Sequence, residues 1–124
     1  MCKVVVCGGR DFTDSKFIYS ELDRLHALYT FTQVIEGDAR GADRIAGQWA
    51  TKNKIQDVKY PADWEKHGNK AGILRNIQML ELKPDYVICF PGGKGTAHTF
   101  KTALKMGLIV IDCKPSGLEQ WRIL

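Results

Sequence analysis

Four short stretches of this 124-residue chain carry residues with chemistry to offer. The first is Pro91-Gly92-Gly93-Lys94-Gly95-Thr96, which follows an apolar run and opens a helical pattern. Glycines let the backbone come close to a ligand, and unpaired N–H groups at a helix start favour an anion. Thr96 can cap the helix or donate its hydroxyl to a phosphate, and Lys94 can add charge. A tight strand-to-helix turn alone does not need glycine at 92, 93 and 95, so the loop reads as an anion cradle. It is not a Walker A loop, because Gly95 follows Lys94 where Ser or Thr would stand. Nor is it a dinucleotide fingerprint, because His98 falls where the third glycine would lie.

The second stretch is Gly8-Gly9-Arg10-Asp11-Phe12. Gly8 and Gly9 can receive a phosphate or sugar, Arg10 can pair with phosphate, and Phe12 can stack on a base. Equally, Phe12 can belong to the core and Arg10 to the solvent. The third, Gly37-Asp38-Ala39-Arg40-Gly41-Ala42-Asp43, places Asp43 in the first turn of a helix. A carboxylate there complements the helix dipole, and it can also accept ribose hydroxyls. The fourth is Arg75-Asn76, where a guanidinium fork beside an amide suits a phosphate with a base or ribose. A solvated helical arginine is the plain alternative, and at a polar pocket edge Arg75 would contribute little stability. Trp64, in the preceding polar stretch, can act as an aromatic lid or simply pin its loop.

Other chemistries lack the residues they need. Cys2, Cys7, Cys89 and Cys113 form no C-x-x-C pair, and His26, His67 and His98 show no H-E-x-x-H spacing. Reduced thiols, no metal and no cofactor are therefore expected. The net charge of +4 comes from 18 basic and 14 acidic residues, and no two basic residues are adjacent. A nucleic-acid stripe is absent from that pattern, which disfavours DNA or RNA as partner. A composition of 44% hydrophobic and 26% charged residues excludes a disordered or fibrous chain. The apolar runs are too short to span a bilayer, and Met1-Cys2-Lys3 leads straight into a strand-like run. A cytoplasmic protein without membrane contact is expected, as one domain over residues 1–124. Self-association into a homo-oligomer stays open.

Elements that alternate must position these loops. Strand patterns run from Lys3 to Cys7, Thr32 to Glu36, Ile55 to Tyr60, Asp85 to Phe90 and Leu108 to Asp112. Between them, one helix turns Ile18, Leu22, Leu25 and Tyr29 inward, with Thr13, Asp14 or Ser15 as N-cap. A second turns in Ala42, Ile45, Ala46, Trp49 and Ala50. A third begins near Ala71 and turns in Leu74, Ile77 and Leu80 or Leu82, after a polar loop over 61–70. The fourth turns in Ala97, Phe100, Ala103 and Leu104 and ends at Gly107. Trp121, Ile123 and Leu124 suggest that the tail packs back on the body. This alternation predicts an α/β, Rossmann-like doubly wound parallel sheet of five strands, order 3-2-1-4-5, with helices on both faces. The order reverses between the first and fourth strands, and ligands bind at the carboxyl ends beside such a reversal.

Together the four stretches, with Pro61-Ala62-Asp63-Trp64 and His67-Gly68-Asn69-Lys70-Ala71-Gly72, resemble the YspA/YpsA-related branch of the SLOG superfamily. The resemblance extends from about Lys3 to Asp112. It implies a Rossmann-like domain that senses, carries, sequesters or processes a nucleotide or nucleotide-derived small molecule, in a branch common in bacteria and phages. It places the ligand phosphate on the loop from Gly92 to Thr96 and on Arg75, with Gly8, Gly9 and Arg10 as the opposite wall. The Pro-Gly-Gly-x-Gly-Thr loop is also similar to that of cytokinin-activating phosphoribohydrolases, which cleave the base from a nucleoside monophosphate. Arg75 matches their arginine, but Thr99 stands where they carry a glutamate. That departure argues for binding over N-glycosidic cleavage, with Asp11, Asp43 and Asp63 as carboxylates that can substitute. A more distant SLOG branch resembles a protein that loads recombinase on single-stranded DNA, a role the scattered charge disfavours.

Overall fold

The computed structural model describes residues 2–115 and, by backbone alone, residues 119–122. Five parallel strands form its sheet in the order β3-β2-β1-β4-β5: β1 (Lys3–Cys7), β2 (Gln33–Glu36), β3 (Gln56–Lys59), β4 (Tyr86–Cys89) and β5 (Val110–Cys113). This is the expected order. A sixth strand, β6 (Glu119–Arg122), extends it by pairing antiparallel with β5. Ile123, Leu124 and the side chain of Trp121 lie outside the described residues.

β1 is central because both its faces are covered. Val4 and Val6 enter a core with Ile18, Leu22 and Leu25 of α1 (Ser15–Tyr29) and Trp49 of α2 (Ala42–Lys52). Val5 and Cys7 enter a second core with Met79 and Leu80 of α4 (Ala71–Glu81) and Ala103 of α5 (Lys94–Lys105). Alternate side chains of a strand point to opposite faces, so an unbroken apolar run needs two helical layers. Asp14 caps α1, its carboxylate accepting the Phe17 N–H at 3.1 Å.

Three local expectations are corrected. The stretch expected as a loop over 61–70 contains a helical turn, α3 (Trp64–His67), and a 3₁₀ turn over Gly68–Lys70. Asp63 starts that turn by accepting the Lys66 N–H at 3.1 Å. On α4, Leu74 is exposed and the buried stripe is Ala71, Arg75 and Met79, with Leu80. Backbone carbonyls that receive Arg75 let a charged residue take the inward position. On α5, Ala97 is exposed while Thr99 is fully buried beside Ala103. Its hydroxyl is satisfied inside the helix by the Gly95 carbonyl at 3.0 Å. Among the described residues, no helix is long and apolar enough to cross a membrane.

Candidate functional site

The loops after β1, β2 and β4 interlock at the point where the strand order reverses. Gly9 donates its N–H to the Pro91 carbonyl at 2.8 Å, and Ala42 donates to the Gly9 carbonyl at 3.2 Å. Gly41 sits between these loops at φ +82°, where a Cβ would collide with the Gly9 and Arg10 backbones. The interlocked loops, α3 and the start of α4 enclose a cavity of about 440 Å³. Small-ligand sites span roughly 300–1,000 Å³.

Of the binding candidates in the sequence, Gly8, Gly9, Arg10, Asp43, Arg75, Asn76, Gly93, Gly95 and Thr96 line this cavity. Gly92 does not. It is exposed, and a Cβ there would strike the Thr96 side chain and the Gly9 nitrogen. Gly93 and Gly95 differ, since a Cβ on either would meet nothing within 4 Å. Lys94 is exposed and outside the lining, and Phe12 packs against Phe90, its ring centroid 6.2 Å away. Phe12 therefore belongs to the core and is not positioned to stack on a base in this cavity. Trp64 does line the cavity, and the Arg10 guanidinium lies over its ring at 5.2 Å.

The helix starts at the cavity differ in how their N–H groups are met. α1 and α3 are capped by aspartates, whereas α2 and α5 begin at Gly41 and Gly93 with no side-chain cap. The first N–H groups of a helix lack intrahelical partners and carry partial positive charge. At α2 those of Ala42 and Arg44 are met by the Gly9 and Ala39 carbonyls, each at 3.2 Å, so the start of α5 is the more open of the two.

Arg75 is 7% exposed and held on three sides. Its Nε donates to Asn76 Oδ1 at 2.7 Å, and Nη1 donates to the carbonyls of Gly37 and Tyr60. Nη2 donates no hydrogen bond among the described residues. Gly37, the first residue of the third stretch, lets the guanidinium in: a Cβ there would overlap it. Burial pulls Arg75 below its ordinary pKa, with the Asp43 carboxylate opposing. Asp43 is nearly buried, and burial pushes its pKa up to about 6 against the pull of Arg75.

The three aspartates left open by the sequence now separate. Asp63 caps α3 and lies outside the cavity lining, whereas Asp11 lines the cavity as an exposed partner of Arg40 at 3.0 Å. Asp43 is the inward one. Cys7 of β1, Gly72 and Ile73 of α4, and Thr99 of α5 also line the cavity, brought together from three elements far apart in the chain.

Comparison with known proteins agrees with the motifs. The family model described as "YspA, cpYpsA-related SLOG family" matches residues 2–67, which include the β1 and β2 loops and Trp64. The chain is also 38% identical over 120 residues to the Gene 61 protein of Mycobacterium phage D29, covering 90% of this chain and 96% of that protein. With β1, both Gly-containing loops that follow β1 and β2, and Trp64 inside the matched region, the chain belongs to the YspA, cpYpsA-related SLOG family.

Proposed function

We propose that this protein binds a nucleotide or nucleotide-derived small molecule, as a sensor, carrier or sequestering protein. One observation carries the reading: Gly93 and Gly95 line the cavity, yet the packing of the chain asks for no glycine at either. No side chain or backbone would obstruct a Cβ, neither has a positive φ, and Gly95 lies in a helix that alanine would favour by about 1 kcal/mol. Close approach of a ligand to the backbone supplies the missing reason. The phosphate sits on the Gly93–Thr96 N–H groups and the Thr96 hydroxyl, with Arg75 Nη2 contributing charge. Asp43 accepts ribose hydroxyls from the α2 side, and Asn76 and Trp64 flank the base. SLOG membership and the similarity to a phage protein support a nucleotide ligand and a phage-related setting.

A second reading, base release from a nucleoside monophosphate, draws on Asp43, an inward carboxyl with a pKa of about 6 beside Arg75. Against it stands Thr99, whose hydroxyl is engaged with Gly95 and brings no charge to a developing oxocarbenium centre. The test is calorimetric titration with the four ribonucleoside monophosphates and the matching free bases, followed by chromatography of the recovered ligand. At least one monophosphate binds, its base does not, and the nucleotide returns intact. Gly95→Ala leaves the melting temperature equal or higher and weakens binding at least ~10-fold. A flat panel, or Gly95→Ala binding like wild type, overturns the binding site. Released base overturns the non-catalytic reading and makes Asp43→Asn the next variant.

A further inference from the structure

A second cavity of about 400 Å³ adjoins the first and shares Arg10, Ala39, Trp64 and Arg75 with it. Arg40 and Arg44 complete its charged lining, so four guanidinium groups meet one carboxylate, Asp38. Asp11 on Arg40 and Asp43 beside Arg75 offset part of this charge, and the solvated remainder leaves a net positive lining toward which an anion is drawn.

These arginines are held from behind. Arg44 Nε donates to the Asp38 carbonyl at 3.2 Å and lies 3.4 Å from its carboxylate, which leaves its terminal nitrogens without a partner among the described residues. Arg75 spends Nε and Nη1 on the fold and retains Nη2. Arg10 rests on the indole of Trp64, where the two cavities join. Among the described residues Arg40 pairs with Asp11, both side chains well exposed, and such surface pairs hold weakly. Anchoring one edge of a guanidinium removes much of the ordering cost of binding and presents the opposite donors, the geometry that suits phosphate oxygens.

We propose that the second cavity is an anion subsite for a second phosphate, so that the ligand is a nucleotide carrying two phosphate groups. The inference rests on the nucleotide reading of the first cavity and extends it. One phosphate occupies the α5 loop, and the other lies among Arg10, Arg40 and Arg44, with Arg75 between them. The second phosphate can belong to a nucleoside 5′-diphosphate, a nucleoside 3′,5′-bisphosphate or a 5′-phosphorylated dinucleotide.

Calorimetry at fixed ionic strength distinguishes these forms, using the best-bound base in each. At least one two-phosphate form binds roughly 10- to 100-fold tighter than the monophosphate, the gain of one added charge-assisted interaction. Arg44→Gln and Arg40→Gln each reduce that ratio, while Lys105→Gln, a charge-matched change at the far end of α5, leaves it in place. The form that gains identifies the ligand chemistry. Equal affinity of all forms with the monophosphate overturns the second subsite and leaves the first reading standing. An equal fall in the ratio for Lys105→Gln also overturns it, since the gain would then be long-range charge alone. A monophosphate that does not bind at all removes the first reading and this one with it.

Discussion

At the scale of single residues, Arg75 decides most. The sequence placed it at a polar edge with little bearing on stability, and the structure buries it against the carbonyls of Gly37 and Tyr60. Arg75→Ala leaves those carbonyls without their donor, and each buried group left unpaired costs about 1–3 kcal/mol. The variant therefore loses about 1–3 kcal/mol or more in urea denaturation, a loss separate from any effect on the proposed ligand. Arg75→Lys retains the charge but cannot serve both carbonyls and Asn76 with a planar fork, so it recovers only part of the loss. A variant as stable as wild type would mean the buried guanidinium does not support the fold. Spacing could nominate Arg75 for the site, because an arginine on a helix near a glycine loop is a readable pattern. Its burial was not readable, because the groups that accept its protons are main-chain atoms 38 and 15 residues away.

At the scale of elements, the strand-to-helix turns divide the glycines into two kinds. Gly41 serves the fold: its φ of +82° and the adjacent Gly9 and Arg10 backbones leave no room for a side chain. Non-glycine residues in such backbone regions cost about 1–3 kcal/mol. Gly41→Ala is expected to destabilise by at least that amount, whereas Gly93→Ala, with nothing within 4 Å of the added carbon, leaves the urea midpoint almost unchanged. Equal destabilisation by the two would contradict this division. In the sequence both kinds look alike. Apolar periodicity located α1 and α2 and their buried faces, since both pack on the sheet through plain aliphatic and aromatic stripes. It misjudged α4 and α5, whose inward positions include Arg75 and Thr99. There, satisfied polar groups took places that a hydrophobic pattern assigns to Leu74 and Ala97.

At the scale of the whole molecule, buried carboxyls set how stability varies with pH. Glu36 of β2 is fully buried, accepts the Asp38 N–H at 2.6 Å and pairs with Lys59 at 2.8 Å. Asp57 of β3 shares that lysine at 2.9 Å. Burial, and then the neighbouring Asp57, pushes the Glu36 pKa up to about 7, while Lys59 and the Asp38 N–H pull it down. Asp43 is raised as well, to about 6. Both folded-state values exceed the ordinary 4.5 and 3.8, so between about pH 4 and 7 the folded chain holds protons that the unfolded chain releases. Their contribution therefore falls as pH rises through that window. The Lys59 pKa is raised by its carboxylate partners, and that stabilisation is lost only in strongly alkaline solution, outside the window. The melting temperature is expected to decline from about pH 5 to about pH 8. Glu36→Gln, which imitates the protonated carboxyl, flattens the decline. A melting temperature that rises over this range, or a slope untouched by Glu36→Gln, would refute the assignment.

The chain's own order of residues determined the sheet and the place of the cavity. Short β-branched runs alternating with amphipathic helices leave few ways to wind right-handed crossovers, and those put the β1 and β4 loops side by side. Two glycine loops at the reversal point then mark the cavity, and these signals are local. What the tertiary structure alone decided is which groups meet across the loops: Arg75 with Gly37 and Tyr60, Gly41 with Gly9, Glu36 with Asp57 and Lys59, and β6 with β5. Those neighbours are set by strand register and by the depth at which each helix packs. Burial and charge coupling depend on such distances in space, and spacing along the chain carries no record of them.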